Sequence, residues 1–259
     1  YTRAGERRLS ADGTGLEDAA RWRELLPVRT FVPDDLRLLK GGPRRRREYL
    51  DALTIQGDPA YGAALKEYDE ALSQRNSLLR TSRHGFDDEL FRPWERILAQ
   101  AGLAIARARA LRLQDFVGLF QTVYRDITGD PPDCVRLVYR SNVADMDGPS
   151  YEARLAEMRE ADRQRTFTHL GPHRDDLALN LYGRSADDFA SQGQQRSIAI
   201  ALKQAELELL TQIRGERPML MLDDILSELD ENRRRALIDF MPEDVQTFVT
   251  TTDATLIQA

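Results

Sequence analysis

The chain has 259 residues, 41% of them hydrophobic and 31% charged, which suits a globular protein with a sizeable core. It contains no run of about 18 apolar residues that could span a membrane, and its start lacks the apolar core of a signal peptide, so we expect a cytoplasmic protein. Its one cysteine, Cys134, excludes an internal disulfide, and with only three histidines a structural metal site is not expected. Because the net charge is −6, any nucleic-acid binding must come from a local basic patch.

Strand patterns open the chain. Residues 3–32 contain short strand-like patterns, with turn signals at Asp12-Gly13 and Thr14-Gly15. A proline ends the last β-favouring run. Because Tyr1 already stands at the edge of such a pattern, we interpret the chain as starting inside a domain. The Gly41-Gly42-Pro43 segment predicts a loop, since neither a helix nor a strand accommodates it, and a helical period follows.

A block of about a hundred helical residues comes next. Apolar residues recur at helical spacing over residues 61–79 and 94–108, with charged residues on the opposite faces, which predicts two long helices packed on each other. Beyond them we expect a strand over residues 134–139, a short helix over 151–158 and a strand over 177–181.

The C-terminal part alternates helices and strands. A long helix is predicted over residues 193–213, another over 231–240, and a final strand over 247–250. Between the helices, Met219-Leu220-Met221-Leu222 predicts a strand buried on both faces. The order predicts an α/β domain of the nucleotide-binding type with a helical insertion, because strands on the two sides of the block need common partners.

Two adjacent carboxylates, Asp223 and Asp224, follow this apolar strand. In phosphate-transferring α/β proteins, a carboxylate at the end of a buried strand holds a magnesium ion and a second acid can orient the attacking water. Burying two neighbouring carboxylates without a cation is costly, yet a strand that ends in a solvated acidic turn explains the segment about as well. Taken by themselves, the following residues 227–230 have the pattern of a helix-capping sequence.

A second candidate phosphate contact opens the helix predicted from residue 193. Ser191 beside Gly193 at a helix N-terminus leaves N–H groups and a hydroxyl pointing outward, which suits a phosphate. A plain serine cap is the common alternative. The polar run Gln192-Gly193-Gln194-Gln195 is more than a cap needs.

Together these segments resemble the RecF family of ABC-class ATPases. Residues 191–196 are similar to the family's signature motif, Asp223-Asp224 to its Walker B motif and residues 227–230 to its D-loop. Residues 170–177 and 31–51 resemble two further stretches of the same family. The matches occur in the right order along nearly the whole chain, which is stronger evidence than any single motif.

The resemblance implies an α/β fold, an incomplete ABC-type ATPase head with an inserted, mainly α-helical lobe. It assigns residues 1–32 and 163–259 to head lobe I and residues 33–162 to helical lobe II. A phosphate loop G-x-x-x-x-G-K-[ST] occurs nowhere in the sequence. In the family this loop lies near the N-terminus, so we expect it upstream of Tyr1, and we expect the present chain alone to bind ATP negligibly and to hydrolyse none.

Residue roles follow from the same resemblance. Asp223 would hold Mg²⁺, Asp224 would position the hydrolytic water, and Thr251 or Thr252 would lie at the switch that senses the γ-phosphate. For the three threonines taken alone, β propensity is the better explanation. The residues implied to contact ATP, held by a second subunit of a head-to-tail homodimer, are Ser191, Gln192, Gly193, Gln194 and Asp230.

The densest basic cluster consists of Lys40, Arg44, Arg45, Arg46 and Arg47, which are the candidate DNA-binding residues. A solvated helix start is the usual explanation of such a run. Cations are disfavoured at a helix N-terminus, however, which strengthens the case for a phosphate partner. Downstream, His173 and Arg174 either touch DNA or form a hydrogen-bonded connector between a strand and the helical lobe.

At the level of function, the resemblance implies a slow ATPase in the complete protein, associated with the nucleoid and not with a membrane. It would bind gapped or single/double-strand junction DNA as an ATP-dependent homodimer and, with RecR and RecO, help to load RecA. Two alternatives stay open: the head of another SMC-class chromosome-maintenance ATPase, although those carry long heptad coiled coils, and a non-catalytic module that binds DNA or a partner. The sequence upstream of Tyr1 would discriminate between them.

Overall fold

The computed structural model describes residues 9–11, 14–16, 28–82, 85–239, 241 and 245–257. Its strands are β1 (Leu9–Ala11), β2 (Thr14–Leu16), β3 (Val28–Phe31), β4 (Val135–Arg140), β5 (Asp176–Leu181), β6 (Arg184–Ser185), β7 (Met219–Asp223) and β8 (Thr247–Thr250). Its α-helices are α1 (Gly42–Ile55), α2 (Pro59–Thr81), α3 (Asp88–Thr128), α4 (Gly148–Glu157), α5 (Arg159–Arg165), α6 (Ala186–Phe189), α7 (Gln192–Arg214) and α8 (Glu231–Asp239). Within these ranges, no helix has the length and apolar character needed to cross a bilayer.

The strands form three sheets within the described ranges. β1 and β2 pair as an antiparallel hairpin, β4, β5 and β6 form an antiparallel sheet, and β3, β7 and β8 form a parallel sheet in that order. β3 precedes the helical block and β7 follows it, so their pairing supplies the common partner that the element order predicts.

Several predicted boundaries are wrong in detail. α1 begins at Gly42, with Pro43 in its first turn, where a proline's missing N–H removes no hydrogen bond. Thr14-Gly15 lies in β2 and not in a turn, whereas Asp12-Gly13 lies outside the described residues. β4 begins after Cys134, because that residue closes a 3-10 turn.

The prediction that β7 is buried on both faces is wrong. Leu220 and Leu222 point into the core, with 8% and 0% of their surface exposed, whereas Met221 is 37% exposed. Phe248 of β8, which is in register with Met221, is 46% exposed. The parallel sheet therefore packs one face against α7 and α8 and leaves apolar side chains exposed on the other.

Helix α7 lies between two hydrophobic cores. Ile198 packs among side chains of α1, α3 and the antiparallel sheet. Ile200 packs on the other side, among side chains of β3 and β7. Both isoleucines are fully buried, so the direction of α7, and with it the position of its N-terminus, is set by packing on two sides.

In the helical block, α2 and α3 pack against each other around an arginine that is completely buried. The guanidinium of Arg75 donates to Glu95 at 3.1 Å, to Asp162 at 2.7 Å, to the Thr168 hydroxyl at 2.8 Å and to the Leu155 carbonyl at 2.6 Å. Both carboxylates are also buried. One side chain thus holds α2, α3 and the α4–α5 region together.

We expect Arg75→Ala to lower the free energy of unfolding by about 3–5 kcal/mol, because it leaves two buried carboxylates with less compensating charge. Urea unfolding followed by circular dichroism measures the loss. Arg80→Ala, an exposed change on the same helix, is the control and should stay within about 0.5 kcal/mol of the unsubstituted chain. Equal effects of the two changes would contradict the structural role of Arg75.

Candidate functional site

The paired acids lie at the carboxyl end of the parallel sheet, where β7 ends beside β8. Asp223 is the last residue of β7 and stands in register with Thr250, whose hydroxyl donates to Asp223 Oδ1 at 2.5 Å. The backbone N–H of Asp224 donates to the Thr250 carbonyl and hydroxyl, at 3.0 and 3.1 Å. Thr250 therefore holds both acidic positions at the edge where α/β sheets bind ligands.

Asp224 leaves the strand in a left-handed conformation, with φ of 50°. Its backbone carbonyl accepts a hydrogen bond from Ser227 Oγ at 2.8 Å, which fixes the turn that follows. Its Oδ1 atom is buried and has no hydrogen-bond partner. A buried carboxylate oxygen without a partner is unfavourable, so this atom is suited to a cation or to a donor supplied by a ligand.

The acid pair alone does not make a metal cage. Within the described ranges, no group of three His, Cys, Asp or Glu side chains is arranged to hold a metal ion. Mg²⁺ is commonly held by one or two carboxylates together with phosphate oxygens and water. Asp223 fits that pattern and would share the ion with a phosphate-bearing ligand, which leaves Asp224 free to contact a water molecule.

At the start of α7, Ser191 forms a capping box with Gln194. Ser191 Oγ accepts from the Gln194 N–H at 3.2 Å, and Gln194 Oε1 accepts from the Ser191 N–H at 2.9 Å. The capping interpretation is therefore confirmed. Ser191 and Gln192 are exposed, and the first N–H groups of a helix have no partner within it, so this end can still accept an anion.

An arginine that the sequence analysis missed joins this helix start to the next motif. Arg233 donates through Nε to Ser197 Oγ of α7 at 3.0 Å, and through Nη1 to the carboxylate of Asp230. A Cβ added to Gly193 would lie 2.7 Å from Arg233 Nη2, so the guanidinium of Arg233 lies directly against the backbone of Gly193. An arginine three residues after a capping aspartate is the only sequence signal for this contact.

Asp230 caps α8 by accepting from the Arg233 N–H at 3.1 Å. Burial acts to raise the pKa of Asp230, but the hydrogen bonds from Arg233 outweigh it, and the pKa is lowered from its usual value. Nearby, Arg196 of α7 pairs with Glu228 at 3.4 Å. The start of α7 therefore lies beside the turn that follows Asp224.

The two threonines predicted for the switch lie beyond the acid pair. Thr251 forms a local turn, in which its hydroxyl donates to the Asp253 carbonyl at 3.1 Å and accepts from the Asp253 N–H. Thr252 is exposed. The threonine that contacts both acids is Thr250, which strand register identifies and residue type alone does not.

The structure separates the basic cluster into members buried in the fold and members at the surface. Arg46 is 7% exposed and pairs with Asp176 at 2.9 Å and with Asp187 at 2.5 Å, which raises its pKa. Arg47 is partly buried and donates to the Asp175 carbonyl at 2.8 Å. The prediction that all five basic residues face DNA is wrong for Arg46, because its guanidinium is used inside the fold.

The other three cluster residues lie nearer the surface. Arg45 pairs with Asp34, and the hydrogen bond from Arg45 lowers the pKa of the Asp34 carboxyl group. Arg44 pairs with Glu48 at 2.9 Å, but its side chain is 86% exposed. Lys40 is also exposed. Lys40 and Arg44 are therefore the members of the cluster most accessible to a partner.

His173 is a connector and not a surface contact. A carbonyl only accepts hydrogen bonds, so His173 Nε2 donates to the Thr168 carbonyl at 2.9 Å, and Nδ1 accepts from the Tyr68 hydroxyl at 2.7 Å. Burial lowers the pKa of His173 to about 4, although the bond to Thr168 acts in the opposite direction. The connector interpretation is confirmed for this residue.

The lowered pKa of His173 predicts a pH dependence of stability. Between pH 4 and pH 6.5 the unfolded chain binds more protons at this position than the folded chain, so the free energy of unfolding should rise with pH, by up to about 3 kcal/mol. His173→Gln keeps a donor and an acceptor but does not titrate, and should flatten this part of the curve. Urea unfolding at several pH values measures it, and equal slopes in both proteins would contradict the buried neutral histidine.

No family model matches the chain. It is 41% identical over 232 residues to the DNA replication and repair protein RecF of Herpetosiphon aurantiacus, covering 88% of this chain and 60% of that protein. It is 41% identical over 236 residues to the RecF of Moorella thermoacetica, covering 91% and 63% respectively. With the RecF of Heliobacterium modesticaldum it shares 40% identity over 257 residues, covering 96% and 69%. The chain thus spans less than two thirds of the length of the first two relatives.

Two solved structures are similar in fold. The recombination mediator protein RecF-ATPrS in the RecFOR pathway matches with a TM-score of 0.83 and 30% identity, over 98% of this chain and 70% of that chain. The corresponding RecF-ATP structure matches with a TM-score of 0.82 and 29% identity, over 98% and 69%. These matches confirm the predicted fold class, an α/β ABC-type head with an inserted helical lobe.

Proposed function

Because this chain belongs to the RecF family, we propose that it forms the signature, Walker B and helical-lobe part of an ATP-dependent DNA-repair protein. The observation that carries the proposal is the buried, unpartnered Oδ1 of Asp224 beside Asp223 at the carboxyl end of β7. Gapped or junction DNA, RecR, RecO and RecA are the proposed partners, in the nucleoid. The division into residues 1–32, 33–162 and 163–259 is part of the same proposal.

The acid pair suits magnesium-bound ATP, which would supply the scissile phosphate bond and the positive charge that two adjacent carboxylates need. Asp223 would hold the metal, with its Oδ1 oriented by the Thr250 hydroxyl. Asp224 Oδ1 would accept a hydrogen bond from the attacking water and so orient it. The left-handed backbone at Asp224 and the bond from Ser227 keep that carboxylate at the strand end.

The start of α7 is proposed to contact ATP held by a second subunit, so that the nucleotide joins a homodimer. Exposed residues at a helix N-terminus support this role, and the Arg233 contacts keep the helix start and Asp230 in one arrangement. The proposed contact residues are Ser191, Gln192, Gly193, Gln194 and Asp230. Thr251 or Thr252 remains the proposed γ-phosphate switch, next to the Thr250 that orients the acids.

We expect Asp224→Asn to lower ATP hydrolysis by about 10²-fold or more, because the amide keeps the shape of the side chain but loses the charge that orients the water. Turnover is measured in a chain that also carries a phosphate loop, with nucleotide binding followed separately. Asp188→Asn, an exposed change on α6, is the matched control and should leave turnover unchanged. Near-normal turnover in Asp224→Asn would place the water-orienting group elsewhere.

For DNA we expect the double charge reversal Lys40→Glu with Arg44→Glu to weaken binding to gapped DNA. If both residues contact phosphates, the slope of log affinity against log salt should fall in magnitude by about 2. Fluorescence anisotropy across a salt series measures both quantities.

The control for that experiment is Arg80→Glu with Arg107→Glu, which reverses two exposed charges on α2 and α3. An equal loss of DNA affinity in the two double variants would show that DNA binding depends only on the net charge of the protein. Arg46 is left unchanged in both, because its substitution would break the ion pairs with Asp176 and Asp187.

A further inference from the structure

An aromatic stack lies at the surface just after α5. The ring of Phe167 stacks on that of His169 with their centroids 4.3 Å apart, and Arg174 Cζ lies 4.5 Å from the centroid of the Phe167 ring. Two groups this close cannot share one face of a ring, so Phe167 lies between the imidazole and the guanidinium. We call these three side chains the Phe167 stack.

The Phe167 stack is closed at one end and open at the other. At the closed end, His169 Nδ1 donates to the buried carboxylate of Asp162 at 2.8 Å. At the open end, Arg174 is exposed, and Phe167 itself is 38% exposed. Because the ring covers one face of the guanidinium, the exposed surface of Arg174 includes the opposite face. A flat group can therefore extend the stack there.

The open end also carries positive charge that no carboxylate neutralises. In residues 157–176, all of which the structure describes, each carboxylate is ion-paired, whereas Arg165 and Arg174 have no ion pair. The carboxylates of this stretch and their partners are Glu157 with Arg154, Glu160 with Arg163, Asp162 with Arg75, Asp175 with Arg109, and Asp176 with Arg46. In a chain with a net charge of −6, two such arginines favour an anionic ligand.

Arg47 joins the Phe167 stack to the basic cluster at the start of α1. Its Nη1 donates at 2.8 Å to the carbonyl of Asp175, the residue after Arg174. Burial lowers the pKa of Arg47, and the charges of Arg109 and Arg174 act in the same direction, so Arg47 and Arg174 lie close enough to repel. Arg44, proposed above to contact DNA phosphates, precedes Arg47 by about one helical turn. The stack therefore continues the proposed DNA surface.

The backbone that leads into Phe167 is strained. Thr166 ends α5 in the left-handed conformation, with φ of 65°, which a β-branched residue rarely adopts. Such strain persists only where the surrounding structure imposes it, and it clusters at ligand sites. Here it accompanies the turn that places Phe167 outside the helix.

We propose that the Phe167 stack binds an unpaired nucleobase of gapped or junction DNA, which lies on the outer face of the Arg174 guanidinium. The inference rests on the proposed DNA-binding function and names the part of the DNA that this surface recognises. A base inside a duplex has both faces covered by its neighbours, so only an unpaired or junction base offers a face. Every base has a π-face that stacks on aromatic rings and arginine planes, so the contact selects single strand without reading sequence.

An aromatic side chain of a protein could also stack on Arg174. It would bring no negative charge to Arg165, whereas a nucleotide carries its phosphate with it. The charges around the stack therefore favour the nucleotide.

The test compares two gapped DNAs, one with thymidines in the gap and one with abasic residues in the same gap. The phosphates are equal in number, so only the bases differ. Fluorescence anisotropy measures Kd for a chain that also carries a phosphate loop, with ATP present. We expect the thymidine gap to bind roughly tenfold more tightly, which is the effect of one stacked base.

Three variants separate stacking from charge. Arg174→Lys keeps the charge but removes the planar face, so it should bind both gaps with the affinity that the unsubstituted protein has for the abasic gap. Phe167→Leu removes the ring that backs the guanidinium and should also reduce the ratio. Arg165→Lys changes an exposed arginine outside the stack, so it is the matched control and should keep the ratio. Binding of the abasic gap shows that each variant is folded.

Equal binding of the two gaps by the unsubstituted protein would overturn the stacking proposal and leave the DNA-binding function intact. A ratio that survives in Arg174→Lys, or an equal loss for both gaps in that variant, would also overturn it. Failure of the unsubstituted protein to bind either gap would instead contradict the DNA-binding function, and this inference with it.

Discussion

The burial of α7 on two sides is the constraint on which the candidate site depends. Ile198 and Ile200 enter two different cores, and each fully buried isoleucine stabilises the fold by about 1.5–3 kcal/mol. A helix held in this way cannot rotate without disrupting both cores. Its N-terminus at Ser191 and its contact with Arg233 therefore keep a fixed relation to the end of β7.

Buried arginines connect segments that are distant along the chain. Arg75 joins α2, α3 and the region around Asp162, and Arg109 donates to the Pro172 carbonyl at 2.8 Å. Beside that carbonyl, Gly171 has φ of 134°, and an added Cβ would lie 2.1 Å from the Tyr68 hydroxyl. Glycine is thus required where the connector passes closest to the helical block, and the arginines hold it there.

Several buried polar side-chain atoms have no hydrogen-bond partner among the described residues, and two of the side chains concerned lie near the elements of the candidate site. Asp224 Oδ1 and the amide of Gln204 are buried without partners, one at the end of β7 and the other along α7. Most buried polar groups in folded proteins are hydrogen-bonded, so exceptions next to an open edge or a cavity are candidate positions for ligands. The acid edge at the end of β7 is such a position.

The sequence by itself determined the order of elements, the two long helices, the serine cap and the acid pair at a strand end. These features depend on hydrophobic periodicity and on hydrogen bonds between residues a few positions apart, so they are encoded locally. Sequence could not separate Arg46, held inside the fold by Asp176 and Asp187, from Arg44, which faces solvent.

Only the tertiary structure decided that Thr250 contacts the acids, that Met221 is exposed and that Arg233 reaches Gly193. Each of these outcomes depends on a neighbour brought close by strand pairing or helix packing across a long stretch of chain. Burial and ion pairing are properties of the segments that meet in space, and a local pattern carries no information about which segments those are.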